Sequence, residues 1–257
     1  LSTHFMWPRG VSYLNRLGVA DRILSKTPHF KEMEVSIEGI NLKGSIPINE
    51  LEKRFSLLHG STSSLTNFYC GPRRTLLDSE LLLSAIEQGV DFKPEVEFSS
   101  VITGGDSAVR ISMNTISGAS FKASARLIVA ADGKSSSFAN AVKSDFFDYR
   151  TESSFAFFGY FSGFTNEGLT IRNKGRLGTA VFPTSDGTNL VLVYGPSDWW
   201  KNFMYDSVKH FYKTLEFCDE ELHQKMLSSK QHGSFKGCGK MEAFQRQNVG
   251  KGWVLIG

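Results

Sequence analysis

The stretch Ala125-Arg-Leu-Ile-Val-Ala-Ala-Asp-Gly-Lys-Ser-Ser-Ser-Phe-Ala-Asn-Ala-Val142 decides how the rest of the chain is read. Leu127 to Ala131 is a short apolar run, the pattern of a buried strand. Asp132-Gly133 breaks it as a turn pair. A serine cluster follows, and Phe138, Ala141 and Val142 then recur at helical spacing. Strand, acidic turn and helix start suit a nucleotide. Asp132 can accept from a ribose hydroxyl or fix backbone N–H groups, Gly133 permits close backbone approach, and a serine-capped helix N-terminus favours phosphate. An ordinary strand–turn–helix connection has the same signature, and this stretch alone leaves both open.

Upstream, Pro8 to Ile23 predicts one helix, with Val11, Leu14, Leu17 and Val19 as its apolar stripe and Gly18 weakening its end. Met33, Val35 and Ile37 alternate with Glu32, Glu34 and Ser36, a half-buried hairpin turning near Glu38-Gly39. Gly60 to Asn67 is a Ser/Thr-rich loop. Gly71 to Gly89 predicts a helix, with Leu77, Leu81, Leu82 and Ala85 inward and Gly89 ending it. Val90 to Phe98, Val101-Ile102 and Ala108 to Met113 read as strands, the last two around a Gly104-Gly105-Asp106 turn. Residues 66–145 therefore give a helix, a small antiparallel sheet, and then the strand and turn of the opening stretch.

Past Tyr149 the character changes. Phe155 to Phe164 is aromatic and strand-like, and Gly178–Pro183 with Thr188–Tyr194 forms a hairpin across Thr184 to Gly187. Ser197 to Ser228 reads as helices with Trp199, Trp200, Phe203, Phe211, Leu215 and Leu222 inside. Gly233 to Gly239 reads as a glycine-rich loop, and residues 252–257 as a final strand. The 21 phenylalanines call for aromatic walls as well as aliphatic packing. Phe155, Phe157, Tyr160 and Phe161 either line an apolar pocket or form core, and core is the commoner outcome.

Composition excludes several classes. A net charge of +3, with no long basic run, does not support a nucleic-acid partner. Cys70, Cys218 and Cys238 lack metal-ligand spacing, and none of the histidines pairs with another at i, i+4, so no metal site is expected. The odd cysteine count favours reduced thiols and a cytoplasmic setting. No run reaches membrane-spanning length. Hydrolase elbow and P-loop patterns are missing. The chain lacks an initiating Met, and Leu1 and Gly257 both interrupt an element, so an internal piece of a longer protein is expected.

Four segments, in order, resemble the flavoprotein monooxygenase superfamily with the p-hydroxybenzoate hydroxylase fold. Ser2 to Gly18 resembles the helix after the second strand of the flavin domain. Arg74-Thr-Leu-Leu-Asp78, with Leu81-Leu82 and Ala85, is similar to the family's Arg-x-x-x-Asp helix, whose Arg lies near the flavin ribityl and phosphate groups. Ala131 to Ser136 is similar to its Asp-Gly motif, tied to the cofactor and to nicotinamide nucleotides. Gly252-Trp-Val-Leu-Ile-Gly257 resembles the strand before the Gly-Asp motif. Geranylgeranyl-reductase-like and halogenase-like members share the middle.

The resemblance implies an α/β (α+β mixed) fold, a partial FAD-binding Rossmann-like layer interleaved with an antiparallel substrate-domain sheet. The FAD layer is expected at 1–30, 66–145 and 246–257, and the substrate layer at 31–65 and 146–245. It implies Arg74, Asp132, Gly133, Thr3, His4 and Gly257 as cofactor contacts, with Arg74 and Asp132 facing one cleft; Arg73 is expected to be solvated. It names no catalytic residue. The implied activity is that of an FAD-dependent monooxygenase using NAD(P)H and oxygen on an aromatic or apolar small molecule. The alternatives are a flavin-dependent reductase or dehydrogenase of the geranylgeranyl-reductase-like type and a non-catalytic truncated flavoprotein. Oligomeric state is left open.

The departures bear on function. The family's Gly-x-Gly-x-x-Gly segment is missing, as is the Gly-Asp carboxylate, so the chain by itself is expected to hold FAD weakly and to be inactive. Ala139 and Ala130 replace the family's Arg and leading Gly in the Asp-Gly motif, which weakens the case for a nicotinamide cofactor.

Overall fold

A computed structural model describes residues 5–45, 47–59, 65–102, 109–150 and 153–256. In chain order, helices α1 (Pro8–Arg16) and α2 (Ala20–Leu24) precede β1 (His29–Phe30) and the hairpin β2 (Glu32–Ile37) and β3 (Ile40–Ser45). Helix α3 (Ile48–His59), β4 (Tyr69–Cys70) and α4 (Arg74–Glu87) follow. The middle holds β5 (Val96–Ile102), β6 (Val109–Thr115), β7 (Ser120–Ala125), β8 (Ile128–Ala130), α5 (Ser137–Ala141) and β9 (Phe146–Arg150). Then come β10 (Ser154–Ser162), β11 (Leu169–Lys174), β12 (Leu177–Thr184) and β13 (Thr188–Pro196). Helices α6 (Trp200–Tyr205), α7 (Ser207–Cys218) and α8 (Glu220–Leu227) lead to β14 (Lys230–Cys238), β15 (Ala243–Arg246), β16 (Val249–Gly250) and β17 (Trp253–Leu255). The fold is mixed α/β, as the sequence predicts.

The described chain divides into two compact units, Leu1–Val90 with Ser153–Met241, and Asp91–Glu152 with Glu242–Gly257. These units cut the chain at other points than the cofactor and substrate layers expected from sequence.

The first unit is built on a seven-stranded sheet of order β14-β10-β13-β12-β11-β2-β3. All its pairings are antiparallel except β2 with β11, so the 32–45 hairpin extends the same sheet as residues 154–196. Its turn lies at Glu38-Gly39, both at positive φ (50° and 84°), as a two-residue hairpin requires. Strict alternation divides β10 between the two faces. Phe155, Phe157 and Phe161 lie under α6, α7 and α8 in a core with Phe203, Phe211 and Leu215. Phe158 and Tyr160 lie on the other face with Phe30, Tyr69, Phe182 and Leu190. The first set is therefore core.

The single helix expected over Pro8–Ile23 is two helices. Leu17 caps α1, Gly18 stands at φ 71°, and Gly18 N–H and Val19 N–H bond the carbonyls of Asn15 and Leu14. That is a Schellman stop, which only a residue at ease in the left-handed region completes cheaply. Helix α3 has no counterpart in the sequence reading. The predicted helix at Gly71–Gly89 is α4, but Leu82 is 37% exposed and no residue of α4 is fully buried. Leu76, Leu77 and Leu81 pack on Leu14, Val19 and Ile23. The Gly233–Gly239 loop is corrected to a strand, β14, paired with β10 through a bulge between Phe158 and Tyr160. The Gly104 to Asp106 turn and Gly60 to Ser64 lie outside the described residues.

In the second unit β5, β6 and β7 form an antiparallel sheet, β9 pairs with β15, and β16-β17-β8 forms a three-stranded sheet. Strand β17 runs parallel to β8, with Trp253 opposite Ile128, Val254 opposite Val129 and Leu255 opposite Ala130.

Candidate functional site

The parallel pairing of β17 with β8 brings two segments distant in sequence to one sheet edge. Asp132-Gly133 leaves the carboxyl end of β8, and Ile256 leaves the carboxyl end of β17. Ligands of open α/β sheets gather outside such carboxyl ends. A cavity of about 590 Å³ lies there. Asp132, Gly133, Lys134, Arg246, Leu255 and Ile256 line it, with the rings of Phe147 and Phe244. Its charged lining is one carboxylate against two cations.

Asp132 is held by its own turn. Its Oδ1 accepts from the Ser136 hydroxyl at 2.6 Å, and its Oδ2 accepts from Phe138 N–H at 3.1 Å. Ser136 Oγ in turn accepts from Ala139 N–H at 2.8 Å. Two residues thereby satisfy two orphan donors of α5. Of the two roles open to Asp132 from sequence, the structure shows the fixing of backbone N–H groups. The expectation of a phosphate on that helix N-terminus is corrected: a carboxylate already fills it. Partial burial pushes the Asp132 carboxyl up, but the hydrogen bonds from Ser136, Phe138 and neighbouring backbone outweigh it and hold it below the usual carboxylate range.

A folded-state carboxyl below its unfolded value stabilises the fold above the unfolded pKa, about 3.9 for Asp, and that contribution disappears as pH falls through the folded value. Ser136→Ala is expected to cost about 1–2 kcal/mol at neutral pH, because it strands the buried Ala139 N–H and removes a donor from Asp132. Urea unfolding at pH 7 and below pH 4 tests both points. An equal penalty at both pH values would contradict the coupled cap.

Gly133 stands at φ 77°, and a Cβ built there would meet nothing within 4 Å. The backbone is open on that side, as close approach of a ligand requires. Lys134 pairs with Glu242 at 3.3 Å. Arg246 donates to Ser144 Oγ (2.9 Å) and O (3.0 Å), with its guanidinium 4.4 Å from the centre of the Phe146 ring. Neither cation was singled out from sequence; their only signal was position, one after the Asp-Gly pair and one before the last strands. Ala139 has no exposed surface, so a packing contact stands where the related motif carries an arginine.

Arg74 belongs to the first unit. Its Nε donates to both oxygens of Asp78 at 2.5 and 2.6 Å, and its side chain is 47% exposed. Its neighbour Arg73, expected to be solvated, is the more buried of the two. The Arg73 guanidinium lies 4.3 Å from the centre of the Tyr160 ring and 3.6 Å from Asp186, while the Arg73 backbone N–H donates to Ser185 Oγ at 3.4 Å. Thr3, His4 and Gly257 lie outside the described residues. Among the described residues no cluster of metal-ligating side chains occurs, and no helix is long and apolar enough to cross a membrane. The three cysteines are free; burial pushes the Cys70 thiol up to about 12 and that of Cys218 to about 11.

No family profile matches the sequence, and no curated protein matches it significantly. Solved structures do. The myxobacterial chondrochloren halogenase CndH, an FAD-dependent halogenase, aligns over 100% of this chain and 59% of its own, at 18% identity and a TM-score of 0.82. A flavoprotein/dehydrogenase from Cytophaga hutchinsonii aligns over 99% and 61%, at 16% identity and a TM-score of 0.81. The p-nitrophenol 4-monooxygenase PnpA from Pseudomonas putida aligns over 99% and 62%, at 11% identity and a TM-score of 0.70. The chain thus has the fold of FAD-dependent halogenases and monooxygenases. It spans about 60% of the length of these structures.

Proposed function

We propose that the protein is an FAD-dependent oxidoreductase that acts as a monooxygenase on an aromatic or otherwise apolar small molecule, with NAD(P)H as electron donor and oxygen as oxidant. The observation that carries this is the delivery of the Asp132 turn and the end of β17 to one cavity, on a chain with the fold of flavin-dependent enzymes. The residues fit such a cofactor in two respects. Gly133 leaves its backbone open to a close ligand, and Lys134 and Arg246 supply positive charge beside the same cavity for a diphosphate. When bound, the flavin supplies the redox chemistry, and the protein binds, orients and keeps water away.

Residues 1–30, 66–145 and 246–257 serve in this proposal as the cofactor layer, and 31–65 with 146–245 as the substrate layer. Arg74, Thr3, His4 and Gly257 remain proposed cofactor contacts. Reduction or dehydrogenation is a second reading, favoured by the likeness to a flavoprotein described as a dehydrogenase.

Two measurements test the proposal. The 257-residue chain and the chain with its flanking reading frame are loaded with FAD, desalted and read by flavin absorbance. Weak retention by the first and stoichiometric flavin in the second are expected; stoichiometric FAD on residues 1–257 alone would show the cofactor contacts to be misplaced. Oxygen uptake on adding NADH or NADPH with an aromatic substrate then separates monooxygenation from reduction, and a halide added to the same assay reads out halogenation.

A further inference from the structure

The helix-covered face of the seven-stranded sheet holds a groove of about 410 Å³ that belongs to neither the Asp132 cavity nor the aromatic face opposite. Phe155, Leu177, Trp199 and Phe203 form its apolar walls. Its volume is within the roughly 300–1,000 Å³ of ordinary small-molecule sites. Its remaining lining is polar: Asn202 from α6, and His210, Lys213 and Thr214 from α7. Such sites combine apolar walls with a few convergent polar groups.

The polar groups define the ligand. Among the described residues the Lys213 ammonium has no ion-pair or hydrogen-bond partner, and neither does the Asn202 amide. No acidic side chain lines the groove. Asp198, next to Trp199 in the chain, is paired with Arg176 at 3.6 Å, and that guanidinium lies 5.3 Å from the centre of the Trp199 ring. His210 Nδ1 is 2.9 Å from the Phe203 carbonyl oxygen, which can only accept, so Nδ1 carries a proton. That Nδ1 proton is committed to the Phe203 carbonyl, and the Thr214 hydroxyl is engaged with the His210 carbonyl at 2.8 Å. Lys213 is left as the group that answers a negative charge.

We propose that this groove is a binding site for a small aromatic carboxylate, its ring against Leu177, Trp199 and the edge of Phe203 and its carboxylate on Lys213. The site is independent of the flavin reading: it uses none of the residues assigned to the cofactor, and it lies across the sheet from Phe158 and Tyr160.

The test is calorimetric titration of the chain with 2-naphthoate and with its neutral counterpart 2-naphthamide. One-to-one binding of the acid is expected, with the amide about tenfold weaker, the fold-change of one charge-assisted hydrogen bond. Lys213→Gln should remove the preference for the acid, and Asn202→Trp should block both probes. Lys213 and Asn202 are exposed, so neither substitution disturbs the core. Equal affinity for acid and amide, or naphthoate binding unchanged in both variants, would overturn the proposal.

Discussion

Phe211→Ala is expected to lower the unfolding free energy by about 3–5 kcal/mol, the range for removing a fully buried phenylalanine. Phe211 has no exposed surface. Its ring lies 4.8 Å from Phe235, 6.0 Å from Phe161 and 6.1 Å from Phe157, so one side chain on α7 holds β10 and β14 to the helix layer. These rings also pack on one another, and the vacated space cannot close without moving several of them. Domains of this kind are stable by about 5–15 kcal/mol, so the loss is a large share of the total. Urea denaturation of the variant beside Phe147→Ala gives the contrast, because Phe147 is 69% exposed and its loss should change stability by about 0.5 kcal/mol or less. Similar penalties for the two would show that the aromatic layer does not carry the stability of this unit.

Gly237→Val is expected to destabilise by about 3 kcal/mol through the opposite fault, too much volume. A Cβ at Gly237 would stand 2.7 Å from Trp200 Cη2, 2.8 Å from Phe157 Cδ2 and 3.2 Å from the Ala156 carbonyl oxygen. Trp200 cannot retreat, since its ring packs on Phe155 at 5.6 Å and lies parallel to Phe203 at 6.1 Å. Strand β14 would have to leave β10 instead. Near-ultraviolet circular dichroism should report the displaced tryptophan, and urea unfolding the lost stability. A change below about 0.5 kcal/mol with an unaltered aromatic spectrum would mean that the indole moves freely.

Gly237 also shows where reading by residue type goes astray. Three glycines in 233–239 have the composition of a loop. Two of them, Gly237 and Gly239, face the Trp200 ring at distances no Cβ tolerates, and Gly233, at φ 74°, lies within the bulge opposite β10. Each has a steric or conformational reason that depends on residues elsewhere in the chain. Arg73 and Arg74 make the same point in the first unit. Arg74 meets Asp78 at i, i+4 within α4 itself, but the seat of Arg73 on Tyr160 depends on how α4 is set on the sheet.

Local periodicity and turn chemistry were enough to determine the 32–45 hairpin, the aromatic strand β10, the helices after Ser197, and the strand–turn–helix around Asp132. In each case the signal lies within about ten neighbouring residues, where side-chain spacing alone selects the backbone period. The tertiary structure decided the rest. It placed β17 parallel to β8, which assembles the Asp132 cavity from residues more than a hundred positions apart. It divided the aromatic residues of β10 between two packed cores on opposite faces of the sheet. Strand pairing and burial are contacts between remote segments, and no local pattern carries the register or the partner that settles them.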